Sequence, residues 1–390
     1  MVQLLFLVIT TFFLIHYCSS YATADLSLNI LSFGAKSNGK SDSTKAFLKA
    51  WAAACAATQP ATIYVPSGRF SLKNVVFTGN LCKNPAITIR IDGTLVAPNA
   101  IGKADTWLKF YKVKGVSIYG GTLDGQGTKL WACKKSGKSC PNGATSLAFY
   151  HSTNIIIDGL SSLNSQMFHI LIYGCVNMKV VNTRILAPGN SPNTDGIHIT
   201  KSSYVTISNS RIGTGDDCVS IGPGASNLWI ENLWCGPGHG ISIGSLGWDL
   251  QEEGVQNVTV KTATFTGTQN GVRVKTWARP SNAYVRDVLF QHVVIVNALN
   301  PIIIDQNYCP THKNCPNQGS GVQISGITYQ DIHGTSASQV AVKFDCSKTN
   351  SCSGINLDEV SLTYNNQPAI ASCANARGMA SGVNKPASCF

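Results

Sequence analysis

The 390-residue chain carries 44% hydrophobic and only 13% charged residues, a composition that excludes a disordered chain and supplies ample material for a core. Its formal net charge of +11 comes from basic residues scattered along the chain, which suits a polyanionic partner. No dense Lys/Arg stripe, zinc finger or aromatic-basic RNA-binding motif is present, so nucleic acid is not the expected partner.

Positions 1–24 differ from all that follows. An apolar run from Leu4 to Ile15 leads into small residues ending Ala22-Thr23-Ala24, the pattern of a signal peptide with its cleavage site. The run is too short to favour a membrane span, although no Lys or Arg precedes it and only the amino terminus supplies positive charge there. The expectation is export, with 25–390 forming one domain and no membrane attachment after cleavage. A basic exported protein fits an acidic polysaccharide better than nucleic acid.

Of the 14 cysteines, removing Cys18 with the leader leaves an odd number, so at least one mature thiol is unpaired within the chain. Sequence-near pairs suggest themselves: Cys55 with Cys82, Cys133 with Cys140, Cys218 with Cys235, Cys309 with Cys315, Cys346 with Cys352, and Cys373 with Cys389. Cys175, inside the apolar run from Ile170 to Val176, is left over as a buried thiol. No pair of Cys-x-x-Cys motifs exists to hold a structural zinc.

The first element with helical spacing runs from Asp42 to Ala57, with Ser43 as its expected N-cap and Phe47, Trp51 and Cys55 on one face. From Gly115 onward an apolar-x-apolar phrase recurs, as in Val116-Ser117-Ile118, Ile155-Ile156-Ile157, Met178-Lys179-Val180 and Val205-Thr206-Ile207. Its interval varies from 23 residues (155 to 178) to 39 (116 to 155), a repeat-scale period. A second phrase lies between copies of the first: Ile197-His198-Ile199, Val219-Ser220-Ile221, Ile241-Ser242-Ile243, Val272-Arg273-Val274 and Ile302-Ile303-Ile304. Each coil thus carries at least two short alternating strands, separated by Gly, Asn and Ser turns and without a helical stretch between them. The expected class is all-β, a single-domain parallel β-helix, with the early helix closing the exposed first coil.

Aligning the second phrase across coils places Asp195, Asp217, His239 and Asn270 at one position of successive coils. Strands in a sheet lie about 4.8 Å apart, so such residues can touch. Asp216 joins from the preceding position, and Gly215 is read as freeing the chain to turn both carboxylates toward one groove. Arg273 and Lys275 have the outward parity, opposite to Val272 and Val274. Three close carboxylates raise one another's proton affinity, which supplies both an acid and a base, the pair that glycoside hydrolysis requires.

Ser191-Pro192-Asn193-Thr194-Asp195-Gly196, Gly215-Asp216-Asp217-Cys218, Gly238-His239-Gly240 and Arg273-Val274-Lys275 resemble, in order, the four signature segments of the plant-type polygalacturonases. The resemblance spans from about Leu31 to the C-terminus. It implies a right-handed, pectin lyase-like β-helix and hydrolysis of α-1,4-galacturonosidic linkages of de-esterified pectin with inversion, without a metal or other cofactor. It further implies that Asp216 is the general acid, that Asp195 and Asp217 activate water, and that His239 supports the acid. Arg273 and Lys275 then bind the galacturonate carboxylate, Asn193 orients Asp195, and Tyr308 in Asp305-Gln306-Asn307-Tyr308 contacts substrate. The implied protein is a monomer secreted to the plant cell wall.

Endo action is slightly preferred over exo. A rhamnogalacturonan hydrolase, a calcium-dependent pectate lyase and an inactive wall-binding solenoid remain as alternatives. His198 and Ser220 share the outward parity of Arg273, and either line the groove or make ordinary surface hydrogen bonds. Trp248 and Trp277 either stack on sugars or pack under a loop, and Asn257-Val258-Thr259 is a glycosylation sequon overlapping a strand start.

Overall fold

The computed structural model describes residues 25–98 and 104–390, so the leader and Cys18 lie outside the described residues. The chain coils as a right-handed parallel β-helix. On one face an 11-stranded parallel sheet runs the length of the molecule. It includes Thr106–Tyr111, Thr145–Tyr150, Ile170–Tyr173, Ile197–Thr200, Val219–Ile221, Ile241–Leu246, Asn270–Thr276 and Asn300–Asp305. The remaining faces join in a 20-stranded sheet whose only antiparallel pairing among the described residues is Thr363 and Tyr364 with Gln367 and Pro368, near its C-terminal end.

Alternation puts one side of every strand into the core. Ile197, Val219, Ile241, Val272 and Ile302 stack in register, as do Ile199, Ile221, Ile243, Val274 and Ile304, and all are fully buried. Each such side chain contributes about 1.5–3 kcal/mol on leaving water. Phe77, Phe110 and Phe149 form a stacked file near the N-terminal end, with successive ring centroids 4.8 Å apart.

The helix Thr44–Ala56 covers the first coils as expected, inserting Phe47 and Trp51, whose ring centroid is 5.3 Å from that of Phe77. Its capping differs from the expectation. Ser43 occupies the N-cap position but makes no side-chain cap, since its hydroxyl accepts from the Lys36 amide, and Asp42 Oδ1 instead accepts from the Thr44 amide at 3.0 Å. A second helix, Thr128–Lys135, lies in an insertion whose Cys133–Cys140 bridge spans its end. Coils also exist before Gly115: Leu26–Asn29, Ala61–Val65 and Ile87–Ile91 stack onto Val116–Tyr119, but insertions between them obscure the period.

All six suggested cysteine pairs are bridged, and Cys175 is a buried free thiol. Burial pushes that thiol up to about 11, so it is inert as a nucleophile.

Candidate active site

The register Ile197, Val219, Ile241, Val272 fixes Asp195, Asp217, His239 and Asn270 at equivalent positions of four adjacent coils, as the alignment of phrases requires. Each lies in or next to the turn that enters a strand of the 11-stranded sheet. The turns are packed against one another. A Cβ on Gly215 would fall 2.1 Å from the Ser191 carbonyl oxygen, so the glycine is needed for close approach and not for a left-handed backbone. Gly238 and Gly240, at φ +146° and +87°, flank His239, whose amide donates to the Asp216 carbonyl at 2.8 Å.

The three carboxyl groups differ in what holds them. Asp216 has a side chain 19% exposed, and its Oδ1 accepts from the Asp217 amide at 2.8 Å and pairs with His239 Nδ1 at 3.0 Å. Its Oδ2 makes no hydrogen bond to the described residues and is not occluded, so it is open to a ligand in the cleft. Asp217 is only 1% exposed and has both oxygens engaged: Oδ1 by Ser242 Oγ at 2.7 Å and Arg273 at 2.8 Å, Oδ2 by Lys275 Nζ at 2.8 Å. Burial acts to raise the Asp217 carboxyl, but Lys275 and Arg273 outweigh it and bring it down to about 2. Asp195 is buried and, among the described residues, its carboxyl is paired only with Ser220 Oγ, at 2.6 Å through Oδ2. Burial, followed by the charges of Asp216 and Asp217, pushes it well above the usual carboxylate range.

Arg273 and Lys275 do lie on the outer face, but they are not free cations. Both are nearly buried and bound to Asp217, a pairing that strand parity alone does not reveal. Tyr308 lies across them, its ring centroid 5.2 Å from Lys275 Nζ and 5.9 Å from the Arg273 guanidinium carbon. Behind it Trp277 packs edge-on at 5.3 Å and Trp248 packs on Trp277 at 4.8 Å, with the Arg279 guanidinium 3.8 Å over Trp248. Trp277 is therefore occupied in packing beneath a loop, while Trp248 remains half exposed.

These groups border a cleft of about 550 Å³ lined by Asn193, Asp216, His239, Asn270, Arg273 and Tyr308. The lining also takes in Asn300, Asp305, His312 and Lys343, which the sequence reading did not single out as site residues. Asn300 could have been found by extending the column one coil, because it pairs with Asn270 in register and its amide donates to Asn270 Oδ1 at 3.1 Å. His312 sits in the loop pinned by Cys309–Cys315, which carries no repeat signal. Asn193 reaches the cleft at a left-handed φ of 57°, and its side chain makes no hydrogen bond to Asp195.

Ligand atoms of Asp216, Asp217 and His239 lie within 4.8 Å of one another, which raises the question of a cation site. The donor set fits a hard dication poorly. Calcium takes six to eight oxygens, whereas both oxygens of Asp217 are held by cationic side chains that would repel a second charge.

On a parallel β-helix, one open carboxyl in the cleft beside two buried ones in contrasting surroundings offers both an acid and a base, which suits a glycoside hydrolase. The chain belongs to the glycosyl hydrolases family 28, whose model matches residues 55–389. It is 61% identical over 376 residues to a polygalacturonase of Prunus persica, covering 95% of each chain. It is 42% identical over 368 residues to an exopolygalacturonase of Platanus acerifolia, covering 92% of this chain and 96% of that one. Among solved structures, the endo-xylogalacturonan hydrolase of Aspergillus tubingensis superposes with a TM-score of 0.78 at 22% identity, covering 91% of this chain and all of that one.

Proposed function

We propose that this glycoside hydrolase is a polygalacturonase, cleaving α-1,4 bonds between galacturonate units of de-esterified pectin by a single displacement with inversion. Asp216 protonates the departing glycosidic oxygen through its open Oδ2. Asp195 and Asp217 hold and activate the attacking water on the opposite side, and His239 fixes the orientation of Asp216 through Oδ1. The anionic sugar sits against Arg273 and Lys275, whose remaining donors take its carboxylate, with Tyr308 beside them and Asn193 at the cleft wall. The observation that carries the reading is the unshared Oδ2 of Asp216 in a cleft that also presents the cations Arg273 and Lys343.

Endo attack is favoured by basic groups on the same face away from the catalytic coils. Lys109, in an early coil, has its Nζ 4.3 Å over the Tyr150 ring, and Lys343 lines the cleft beyond Arg273, so a polyanion has partners on both sides of the centre. Exo attack is the second reading, favoured by the resemblance to the Platanus acerifolia exopolygalacturonase. Six disulfides fit an oxidising compartment, and with the apolar stretch at 4–15 they support export of a mature 25–390 domain.

The test is incubation with de-esterified polygalacturonate, with and without a calcium chelator, beside Asp216→Asn. Expected are saturated galacturonate products whether or not calcium is present, reduced at least a hundredfold in the variant. The first-formed anomer, read by proton NMR, should be inverted. Unsaturated, calcium-dependent products would replace the reading with a lyase. A limit to monomer release would replace endo with exo.

A further inference from the structure

Ser220 and Ser242 occupy the same position of adjacent strands, paired in register with His198 before them and Arg273 after. Each serine hydroxyl reaches back one coil to a buried carboxylate: Ser220 to Asp195 at 2.6 Å, Ser242 to Asp217 at 2.7 Å. Beyond that point the two arms diverge. Ser242 Oγ also accepts from Arg273 Nε at 2.9 Å, so the arm on Asp217 ends in a permanent cation, and Lys275 takes that carboxylate's other oxygen. Ser220 Oγ meets His198 Nδ1 at 2.7 Å, and the imidazole is clamped by Phe168, stacked at 4.7 Å.

The free oxygens differ accordingly. Asp195 Oδ1 makes no hydrogen bond to the described residues and is not occluded, whereas neither oxygen of Asp217 is unengaged. A group that must accept a proton needs a lone pair facing the water, and a carboxylate held by two cations is a poor acceptor.

From this geometry we infer that Asp195 Oδ1 is the proton acceptor for the attacking water, that Asp217 only orients it, and that Ser220 with His198 is the positioning arm for Asp195. The inference rests on the hydrolytic reading above. In the step, the water oxygen bonds to the anomeric carbon and one of its protons passes to Asp195. The glycosidic C–O bond breaks, and the Asp216 proton goes to the departing oxygen. The groups charged or titratable around the arm are Asp216, Asp217 and Lys275 near Asp195, and Lys275 and Asp217 near His198. Burial, followed by Lys275, brings His198 down to about 4, so it is a neutral ring whose tautomer is free to follow Ser220. An ionised Asp195 makes Ser220 the donor to it, and His198 must then donate from Nδ1. When Asp195 is protonated, Ser220 is able to donate to a bare Nδ1.

The experiment compares pH profiles of kcat and KM on polygalacturonate for the wild type, Ser220→Ala, His198→Gln and Ser242→Ala. Ser220→Ala removes the hydrogen bond that favours ionised Asp195. Its kcat should fall roughly ten- to a hundredfold, with the acid limb moving up by about one pH unit and KM little changed. His198→Gln, which still reaches Ser220, should keep most of the wild-type limb position. Ser242→Ala should leave the acid limb in place, because two cations still hold Asp217. Equal limb shifts in Ser220→Ala and Ser242→Ala, or none in Ser220→Ala, would overturn the inference. A second readout needs no substrate: in 15N NMR of the wild type, the His198 proton should move from Nε2 to Nδ1 in the pH range where Asp195 ionises. A single tautomer across that range would also overturn it. Should the wild type give no hydrolysis, the hydrolytic reading fails by itself, and the NMR titration still tests the link between Asp195 and His198.

Discussion

Asp195 and Asp217 stand one coil apart at the same register, yet their surroundings drive them in opposite directions. For Asp217, lowered to about 2, the stabilisation is present above its unfolded value and is lost as pH falls toward 2. For Asp195 the sign reverses. Its folded value is raised, first by burial, so its contribution is full below the ordinary carboxylate value and is lost as pH rises through the raised one. Asp195→Asn removes that penalty while still accepting from Ser220. The variant should melt a few degrees higher than the wild type at pH 7, with the gain shrinking to nothing in acid, as calorimetry across pH would show. A melting temperature unchanged or lowered at neutral pH would mean that the site does not strain Asp195. Activity should meanwhile be lost, because stability and function compete at this position. The residue types of the site were legible from their common register, but which carboxylate is open, which is paired and which is strained depends on side-chain reach across coils.

Turns, not strands, place the chemistry. The strands are interchangeable alternating units, while the Ser191–Gly196 and Gly215–Cys218 turns are locked by Thr194 Oγ1 accepting from the Gly215 amide at 3.1 Å and by the Cys218–Cys235 bridge. Gly215→Ala would set a methyl group into the Ser191 carbonyl, so one turn must move. Displacement of reacting groups by about 1 Å costs on the order of a hundredfold in rate. The variant should therefore keep its far-UV circular dichroism and lose roughly that much kcat; undiminished kcat would show that the turns tolerate the shift. At this scale the reading of the sequence succeeded where periodicity was regular, from Gly115 onward. It did not resolve the earlier coils or the Thr128–Lys135 helix, and it put the N-cap of Thr44–Ala56 at the right residue, Ser43, without foreseeing that Asp42 accepts from the Thr44 amide. In the last case Asp42 and Ser43 both have capping chemistry, and only the path of the chain selects between them. The Asn257 sequon is at the surface: Asn257 is exposed at φ 53°, with its side-chain amide donating to Asn227 Oδ1 at 2.6 Å in an asparagine ladder between coils. A glycan there would displace that rung.

Across the whole molecule the net charge of +11 and the lysines ranged along the 11-stranded face make substrate capture an electrostatic event. Salt screens such attraction over about 10 Å at 0.1 M. KM for long polygalacturonate should therefore rise severalfold between 20 and 200 mM NaCl while kcat stays nearly constant, and a salt-independent KM would confine recognition to the buried Arg273 and Lys275. By itself the sequence determined the solenoid, because a repeated apolar-x-apolar phrase can bury its faces only by stacking coil on coil. It also determined the register that aligns Asp195, Asp217 and His239, because one repeat position maps to one line along the stack. Tertiary structure alone decided that Arg273 and Lys275 close on Asp217, that Ser220 and His198 support Asp195, and that Asp216 keeps an open oxygen. Those outcomes depend on distances of a few ångströms between side chains from different coils, and repeat alignment specifies only the line on which they meet.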